Sequence, residues 1–210
     1  VAGLRTLLAD TGTVTLEFPH LLQLLDQRQF DTIYHEHFSY FSLLTVRKIL
    51  LAHGLVIRDV QELPTHGGSL RVWAAHASGS GENTSPRVEE IEARERAAGL
   101  ENVERYLTFA ETVRADKRNI LRFFYDSKDR GLSVAGYGAP AKGNTLLNYC
   151  GLGLDVIDFT VDLNPHKQGL YLPGTHIPIL APDALDERRP DIIFILPWNL
   201  RAEIEQQIVA

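Results

Sequence analysis

The sequence predicts an α/β protein in two parts, and three observations lead to that prediction. Apolar, β-branched runs alternate with segments of helical spacing, the pattern typical of helices packed on a parallel sheet. A small, polar, turn-rich stretch at residues 77–86 predicts a linker between residues 1–76 and residues 87–210. The composition, with 44% hydrophobic and 23% charged residues, is that of a globular protein rather than a disordered or fibrous one.

In the first part, helices and strands alternate, but the segment is too short to bury a good core of its own. We expect helices at residues 4–8, 21–25 and 45–52, and strands at residues 13–18, 55–60 and 69–74. Gly54 is a natural stop just past the third helix. This part therefore resembles the back half of an α/β domain whose front half is absent.

The second part begins as a helix, with Ser85 as its cap and Pro86 at its first position. Residues 87–127 are predicted to be mostly helical, with a break at Gly99. After them we expect strands at residues 132–135, 158–162 and 191–196, and helices at residues 141–150, from residue 183 and from residue 200. This alternation predicts a Rossmann-like parallel sheet.

Charge and composition narrow the class of function. The net charge of −6 does not favour a dedicated nucleic-acid binder. No run of about 18 apolar residues occurs, so we expect no membrane partner. One cysteine, Cys150, allows neither an internal disulfide nor a cysteine metal cluster, which favours a cytoplasmic protein. The absence of methionine and the start at Val1 indicate an excerpt of a longer protein.

A glycine turn lies between the strand predicted at residues 132–135 and the helix predicted at residues 141–150. Gly136, Gly138 and Ala141 follow the G-x-G-x-x-(G/A) pattern, whose glycines let a phosphate approach the backbone at a helix N-terminus. Lys142 adds a positive charge, and Asp162 ends the next strand, where dinucleotide folds place an acid for ribose. The alternative is a tight turn that needs glycine only for packing.

Polar residues also follow the predicted strands, where ligands of open parallel sheets bind. The carboxyl ends of three strands carry Tyr137, Asp162 with Asn164, and Trp198 with Asn199. Trp198 is suited to stack on a base, and it is equally suited to be a core or interface aromatic.

The strongest candidate for a catalytic site in the first part is the run of polar and titratable side chains at residues 34–37. A histidine such as His37 is matched to proton abstraction near neutral pH, a carboxylate such as Glu36 can stabilise its charged form, and a hydroxyl such as that of Tyr34 can donate to an oxyanion. These are the parts needed to remove a proton next to a carbonyl. A metal site through His35 and His37 is one alternative, and an aromatic-rich turn without chemistry is another.

A second candidate is His66, which two glycines follow. Glycines permit close approach of a ligand to the backbone, although this pattern alone is more typical of a simple turn.

Four stretches together resemble a known family. Residues 31–42, 63–71, 136–150 and 161–178 resemble, in the same order, the bacterial S-adenosylmethionine-dependent sugar C-methyltransferases, which methylate carbon 3 of nucleotide-linked 4-keto deoxysugars. That family has an N-terminal zinc module, a central methyltransferase domain and a C-terminal Rossmann-like domain. Residues 1–76 match the end of the central domain, and residues 87–210 match a helical lead-in and the third domain.

The resemblance implies roles for residues and for partners. His37 matches the family's general base, with Tyr34 and Glu36 as its neighbours, and the enolate formed would attack the methyl sulfonium of S-adenosylmethionine. The main binding loop for that cofactor is absent from this chain, and zinc is expected only in the missing N-terminal module. The implied partners are a nucleotide-sugar and the missing N-terminal half. From the expected fold, we predict substrate contacts at His66, Gly136, Tyr137, Gly138, Lys142, Asn144 and Asp162.

Two other functions stay open. The Gly136 turn with Asp162 would suit an NAD-binding, dehydrogenase-like module. A non-catalytic domain that binds nucleotide-sugars is the third possibility.

Overall fold

A computed structural model describes residues 1–78 and 84–209. Half of the predicted linker, residues 79–83, lies outside the described residues. Contacts within the chain define two compact units, the first of Val1–Gln29 with His37–Glu111 and the second of Phe30–Glu36 with Thr112–Ala210. These units divide the chain differently from the predicted boundary, and the assignment of residues 1–76 to a methyltransferase domain stays a prediction.

The first unit contains a three-stranded antiparallel sheet in the order β1-β3-β2. Its elements are α1 (Ala2–Leu7), β1 (Val14–Pro19), α2 (Leu21–Asp26), α3 (Leu43–Ala52), β2 (Leu55–Leu63), β3 (Ser69–His76), α4 (Pro86–Ala97) and the start of α5 (Val103–Asp129). Val72 at the centre of β3 faces Leu16 on one side and Val60 on the other. All six predicted elements of this part form, and α3, capped by Ser42, begins two residues before its predicted start.

Helix α4 packs with the first unit, which explains why that unit continues past the predicted linker. Val88 and Ile91 of α4 are buried in the same apolar core as Leu50 of α3 and Leu70 of β3. The Ser85 side chain accepts a hydrogen bond from the Arg87 N–H, as the predicted cap requires.

A buried polar centre fastens three helices of this unit. The Glu95 carboxylate of α4 lies 2.8 Å from Nε2 of His20, the residue before α2. It also accepts hydrogen bonds from the N–H groups of Leu43 and Leu44, at 2.7 and 2.9 Å. Because these two N–H groups open α3, the carboxylate serves as the anion at the positive end of that helix.

The second unit is a four-stranded parallel sheet flanked by helices, which confirms the predicted α/β class. After α5 come β4 (Val134–Tyr137), α6 (Ala141–Cys150), β5 (Phe159–Val161), β6 (Ile179–Leu180), α7 (Ala184–Arg188), β7 (Ile192–Ile195) and α8 (Arg201–Val209). Strand β4 begins two residues later than predicted and runs into the glycine turn. Strand β6 lies in a stretch that the sequence predicted as loop.

The strand order β6-β5-β4-β7 gives this sheet a topological switch point. From β4 the chain moves to β5 and β6 on one side, and then crosses to β7 on the other side of β4. In open α/β sheets, ligands bind in the crevice outside the carboxyl ends of the strands at such a point. The residues that follow β4 and β7 therefore line this crevice.

Candidate functional site

The segment Phe30–Glu36 belongs to the second unit, although its neighbours in sequence belong to the first. It opens with a 3₁₀ turn, Phe30–Thr32, that contacts α6. The Trp198 indole N–H donates to Oδ2 of Asp31 at 2.7 Å. The Phe30 ring lies 5.2 Å, centroid to centroid, from the ring of Tyr149. Two contacts thus hold the segment that carries Tyr34 and Glu36.

Four side chains form what we call the Asp31 cluster: Asp31, Lys142, Trp198 and Asn199. The Lys142 ammonium donates to Oδ1 of Asn199 at 2.6 Å and lies 4.6 Å from the Trp198 ring centroid. Burial raises the pKa of Asp31, and the Trp198 hydrogen bond and the charge of Lys142 oppose that rise. Burial likewise lowers the pKa of Lys142, against the pull of the Asp31 carboxylate. The two opposite charges therefore stabilise each other in a partly desolvated place.

The space beside the glycines of the turn is filled by other atoms of the same chain. A Cβ on Gly138, whose φ is +86°, would lie 2.6 Å from Cδ of Pro197. A Cβ on Gly136 would lie 2.7 Å from Oγ1 of Thr160, and one on Gly143 would lie 2.7 Å from Cβ of Leu196. This geometry favours the alternative in which these glycines serve packing.

Asp162 is engaged within the same turn. Its Oδ2 accepts the Ala139 N–H at 2.7 Å, and its Oδ1 accepts the Asn164 N–H at 2.8 Å. The Lys167 ammonium lies 3.3 Å from Oδ2 and donates to the Ala139 carbonyl at 3.0 Å. Both carboxylate oxygens already accept hydrogen bonds from this chain, so a ribose hydroxyl would have to share an oxygen with these donors. Asp162 therefore has a structural role in the turn.

The structure assigns the three predicted catalytic residues to different units. Tyr34 and Glu36 belong to the second unit and His37 to the first. Glu36 is exposed, and Tyr34 and His37 are half-buried. The His37 ring lies 6.1 Å from that of Tyr40. Their shared catalytic role stays a prediction.

The other predicted contacts differ in accessibility. His66 is exposed in the 3₁₀ turn Thr65–Gly67 and has a φ of +54°, an unfavourable value for a residue with a side chain. Asn144 is half-buried in α6. Tyr137 is buried, and its hydroxyl donates to Oε1 of Gln207 at 3.0 Å. Burial, with the charges of Asp162 and Glu203, raises the pKa of Tyr137.

Among residues 1–78 and 84–209, no group of three or more His, Cys, Asp or Glu side chains could hold a metal ion. Over the same ranges, no helix is both long and apolar enough to cross a membrane.

Sequence reasoning missed Asp31, Lys167 and the pairing of Asn199 with Lys142. A signal for Asp31 was present, because it opens the stretch 31–42 that carries the family resemblance. The signal for Lys167 was its place in the stretch 161–178, five residues after Asp162.

Comparison with known proteins places this chain in a family. Residues 64–210 match the family model described as C-methyltransferase C-terminal domain. The chain is also 44% identical, over 205 residues, to C-methyltransferase NovU of Streptomyces niveus, in a match that covers 96% of this chain and 48% of that protein. The chain thus spans about half the length of that relative. The family expected from the four stretches is confirmed, and the chain belongs to the family of C-methyltransferase C-terminal domains.

Proposed function

We propose that the full-length protein is an S-adenosylmethionine-dependent methyltransferase that methylates carbon 3 of a nucleotide-linked 4-keto deoxysugar. The observation that carries the proposal is family membership, with 44% identity to a protein named as a C-methyltransferase over nearly all of this chain. The accessible Tyr34–His37 segment supports it, because it supplies a base, a carboxylate and a hydroxyl.

The residues of this chain would carry the proton transfer. The His37 imidazole accepts the proton from the sugar carbon beside the ketone, and the C–H electron pair moves into an enolate. The Tyr34 hydroxyl donates a hydrogen bond to the enolate oxygen as its charge develops. The Glu36 carboxylate stabilises the imidazolium, which releases its proton to solvent after the reaction.

The glycine turn at residues 136–141 does not fit the methyl donor, because Pro197 fills the space beside Gly138 and Asp162 is hydrogen-bonded to the Ala139 N–H. S-adenosylmethionine supplies an electrophilic methyl group wherever it binds, and we assign its binding to the N-terminal half that we expect to precede this chain. We assign the zinc that the resemblance implies to the same N-terminal half.

Substrate contacts are proposed at the predicted residues that reach the surface. His66 is exposed, so it is a candidate to touch the nucleotide-sugar. Asn144, Lys142 and Asp162 are half-buried and hydrogen-bonded within the chain. Gly136, Tyr137 and Gly138 are buried, and these six contacts stay predictions.

The test separates proton removal from methyl transfer. The full-length protein with His37→Ala is incubated in heavy water with a 4-keto deoxysugar nucleotide and no methyl donor, and deuterium entry at carbon 3 is followed by mass spectrometry. We expect deuterium exchange and, with donor present, methyl transfer to fall about 100- to 10,000-fold, since a general base contributes that much.

The matched control is His35→Ala, which removes a neighbouring exposed histidine with no assigned role. It should exchange and methylate at nearly the wild-type rate. Wild-type exchange in His37→Ala would show that another group is the base, and a wild type without methyl transfer to any 4-keto sugar nucleotide would refute the substrate class.

A further inference from the structure

We infer that Asp31 and Trp198 are positioning residues: the switch-point edge of the second unit holds the chain's own segment Phe30–Glu36 in place of a cofactor, and so orients Tyr34 and Glu36. The inference rests on the proposed function for the role of Tyr34 and Glu36. It does not rest on it for the contacts that hold the segment.

The contacts lie where the fold would otherwise take a ligand. Trp198 follows β7, and Lys142 stands in the first turn of α6, which follows β4. These two strands flank the switch point of the sheet. Asp31 is only 3% exposed, and its carboxylate accepts the Trp198 N–H and faces the Lys142 charge. The segment therefore occupies the edge at which open α/β sheets bind ligands.

Trp198 already has two partners within the chain. Its indole N–H donates to Asp31, and Lys142 lies over one face of its ring. A base could stack on that face only after displacing the Lys142 ammonium, which Asn199 also holds. These contacts make Trp198 an anchor for the segment Phe30–Glu36.

The hydrogen bond from the Trp198 indole N–H to the Asp31 carboxylate is directional. An apolar contact would hold the segment without fixing its orientation, whereas an indole N–H to a buried carboxylate constrains both distance and angle. The contact of Phe30 with Tyr149 adds a second point, one residue away. Within the segment, the Ile33 N–H donates to the Phe30 carbonyl at 3.1 Å and stiffens the turn.

Tyr34 follows Asp31 by three residues, so the anchor controls it through a short tether. A catalytic group misplaced by about 1 Å can cost about 100-fold in rate. Loosening the anchor should therefore reduce the rate of chemistry more than it reduces substrate binding.

The first measurement does not depend on activity. Amide hydrogen exchange of the full-length protein is compared between the wild type and Trp198→Phe, which removes the N–H donor and keeps a ring. We expect exchange in peptides covering residues 30–36 to rise by at least about tenfold, while peptides of β4 and β7 keep their protection. Unchanged exchange in residues 30–36 would overturn the inference that the Trp198 N–H holds this segment.

The second measurement asks whether the anchor serves catalysis. In the full-length protein, Asp31→Leu and Trp198→Phe should lower kcat for methyl transfer about 10- to 100-fold and change KM for the nucleotide-sugar less than about threefold. Asp31→Asn keeps an oxygen that can accept the indole N–H and should restore most of the kcat lost in Asp31→Leu. A raised KM with wild-type kcat would overturn the inference, because it would make the cluster a substrate contact.

The matched control is Asp191→Leu, at the other end of β4 and β7. The exposed Asp191 carboxylate accepts hydrogen bonds from N and Oγ of Ser133, at 2.8 and 2.7 Å. Its loss should lower the melting temperature and leave kcat unchanged. If Asp31→Leu behaves in the same way, Asp31 is only structural. If the wild type transfers no methyl group to a sugar nucleotide, the proposed function fails. The hydrogen-exchange experiment still shows whether Asp31 and Trp198 hold the segment Phe30–Glu36.

Discussion

Two buried carboxylates, one in each unit, hold separate pieces of chain together. Glu95 joins α4 to the start of α3, and Asp31 joins a short segment to the residue pair after β7. Neither is a surface ion pair of the kind that contributes little. Each accepts hydrogen bonds from donors that an apolar side chain of similar size would leave without a partner.

Replacing Glu95 should be among the most damaging single changes in the first unit. Glu95→Ala leaves His20 Nε2 and the N–H groups of Leu43 and Leu44 buried without their acceptor. Breaking a buried pair in this way costs about 3–5 kcal/mol. The free energy of unfolding from urea titration measures the effect.

The comparison is Glu89→Ala, an exposed glutamate on the same helix, which should change the free energy of unfolding by less than about 0.5 kcal/mol. Equal losses for the two variants would show that Glu95 does not fasten α3 to α4.

Residue-level chemistry was only partly predictable from the sequence. The segment at residues 34–37 stands out because its residue types match a reaction. The contact that holds it does not stand out, because Asp31 and Trp198 are 167 residues apart and their pairing exists only once the sheet has formed. Likewise Lys167 acquires its role only when the loop after β5 folds back on the glycine turn.

The helices and strands lie close to the positions predicted from the local sequence pattern, and the exceptions have physical causes. Both ends of α6 match the prediction, since Pro140 precedes its first turn and Gly151 in the left-handed conformation ends it. Strand β6 was missed because two residues, Ile179 and Leu180, carry no periodicity. They pair with β5 because tertiary contacts place them there.

Replacing glycine by alanine should change the stability of the protein in opposite directions in two helices. In a helix, Gly→Ala ordinarily stabilises by up to about 1 kcal/mol. Gly3→Ala in α1 should follow that rule, because its Cβ would meet nothing within 4 Å. Gly143→Ala in α6 should instead destabilise, because its Cβ would lie 2.7 Å from the Leu196 Cβ.

Thermal unfolding of the two variants beside the wild type checks this prediction. A stabilised Gly143→Ala protein would mean that α6 and the end of β7 lie farther apart than the structure shows.

At the scale of the whole molecule, the fold class was predictable and the division into units was not. Alternating strands and helices predict a parallel sheet wherever they occur. The turn-rich stretch at residues 77–86 suggested a boundary, but α4 beyond it buries Val88 and Ile91 in the first unit's core. The segment Phe30–Glu36 changes unit for the same reason, through contacts that local sequence does not encode.

The second unit should not behave as a dinucleotide-binding module. We expect no saturable binding of NAD to this chain by isothermal titration calorimetry at millimolar nucleotide, because Asp162 and the glycine turn are engaged internally. Saturable binding that disappears in Asp162→Ala would instead establish the dehydrogenase-like alternative.

The crowded glycine turn has a consequence for how such chains are classified. The G-x-G-x-x-A pattern matches a fingerprint used to recognise cofactor enzymes, yet a Cβ on Gly136 or Gly138 would collide with an adjacent atom of the same polypeptide. Selection on packing alone would keep both glycines even with no nucleotide present. In this chain the fingerprint therefore follows from steric necessity, and the pattern alone does not identify a redox enzyme.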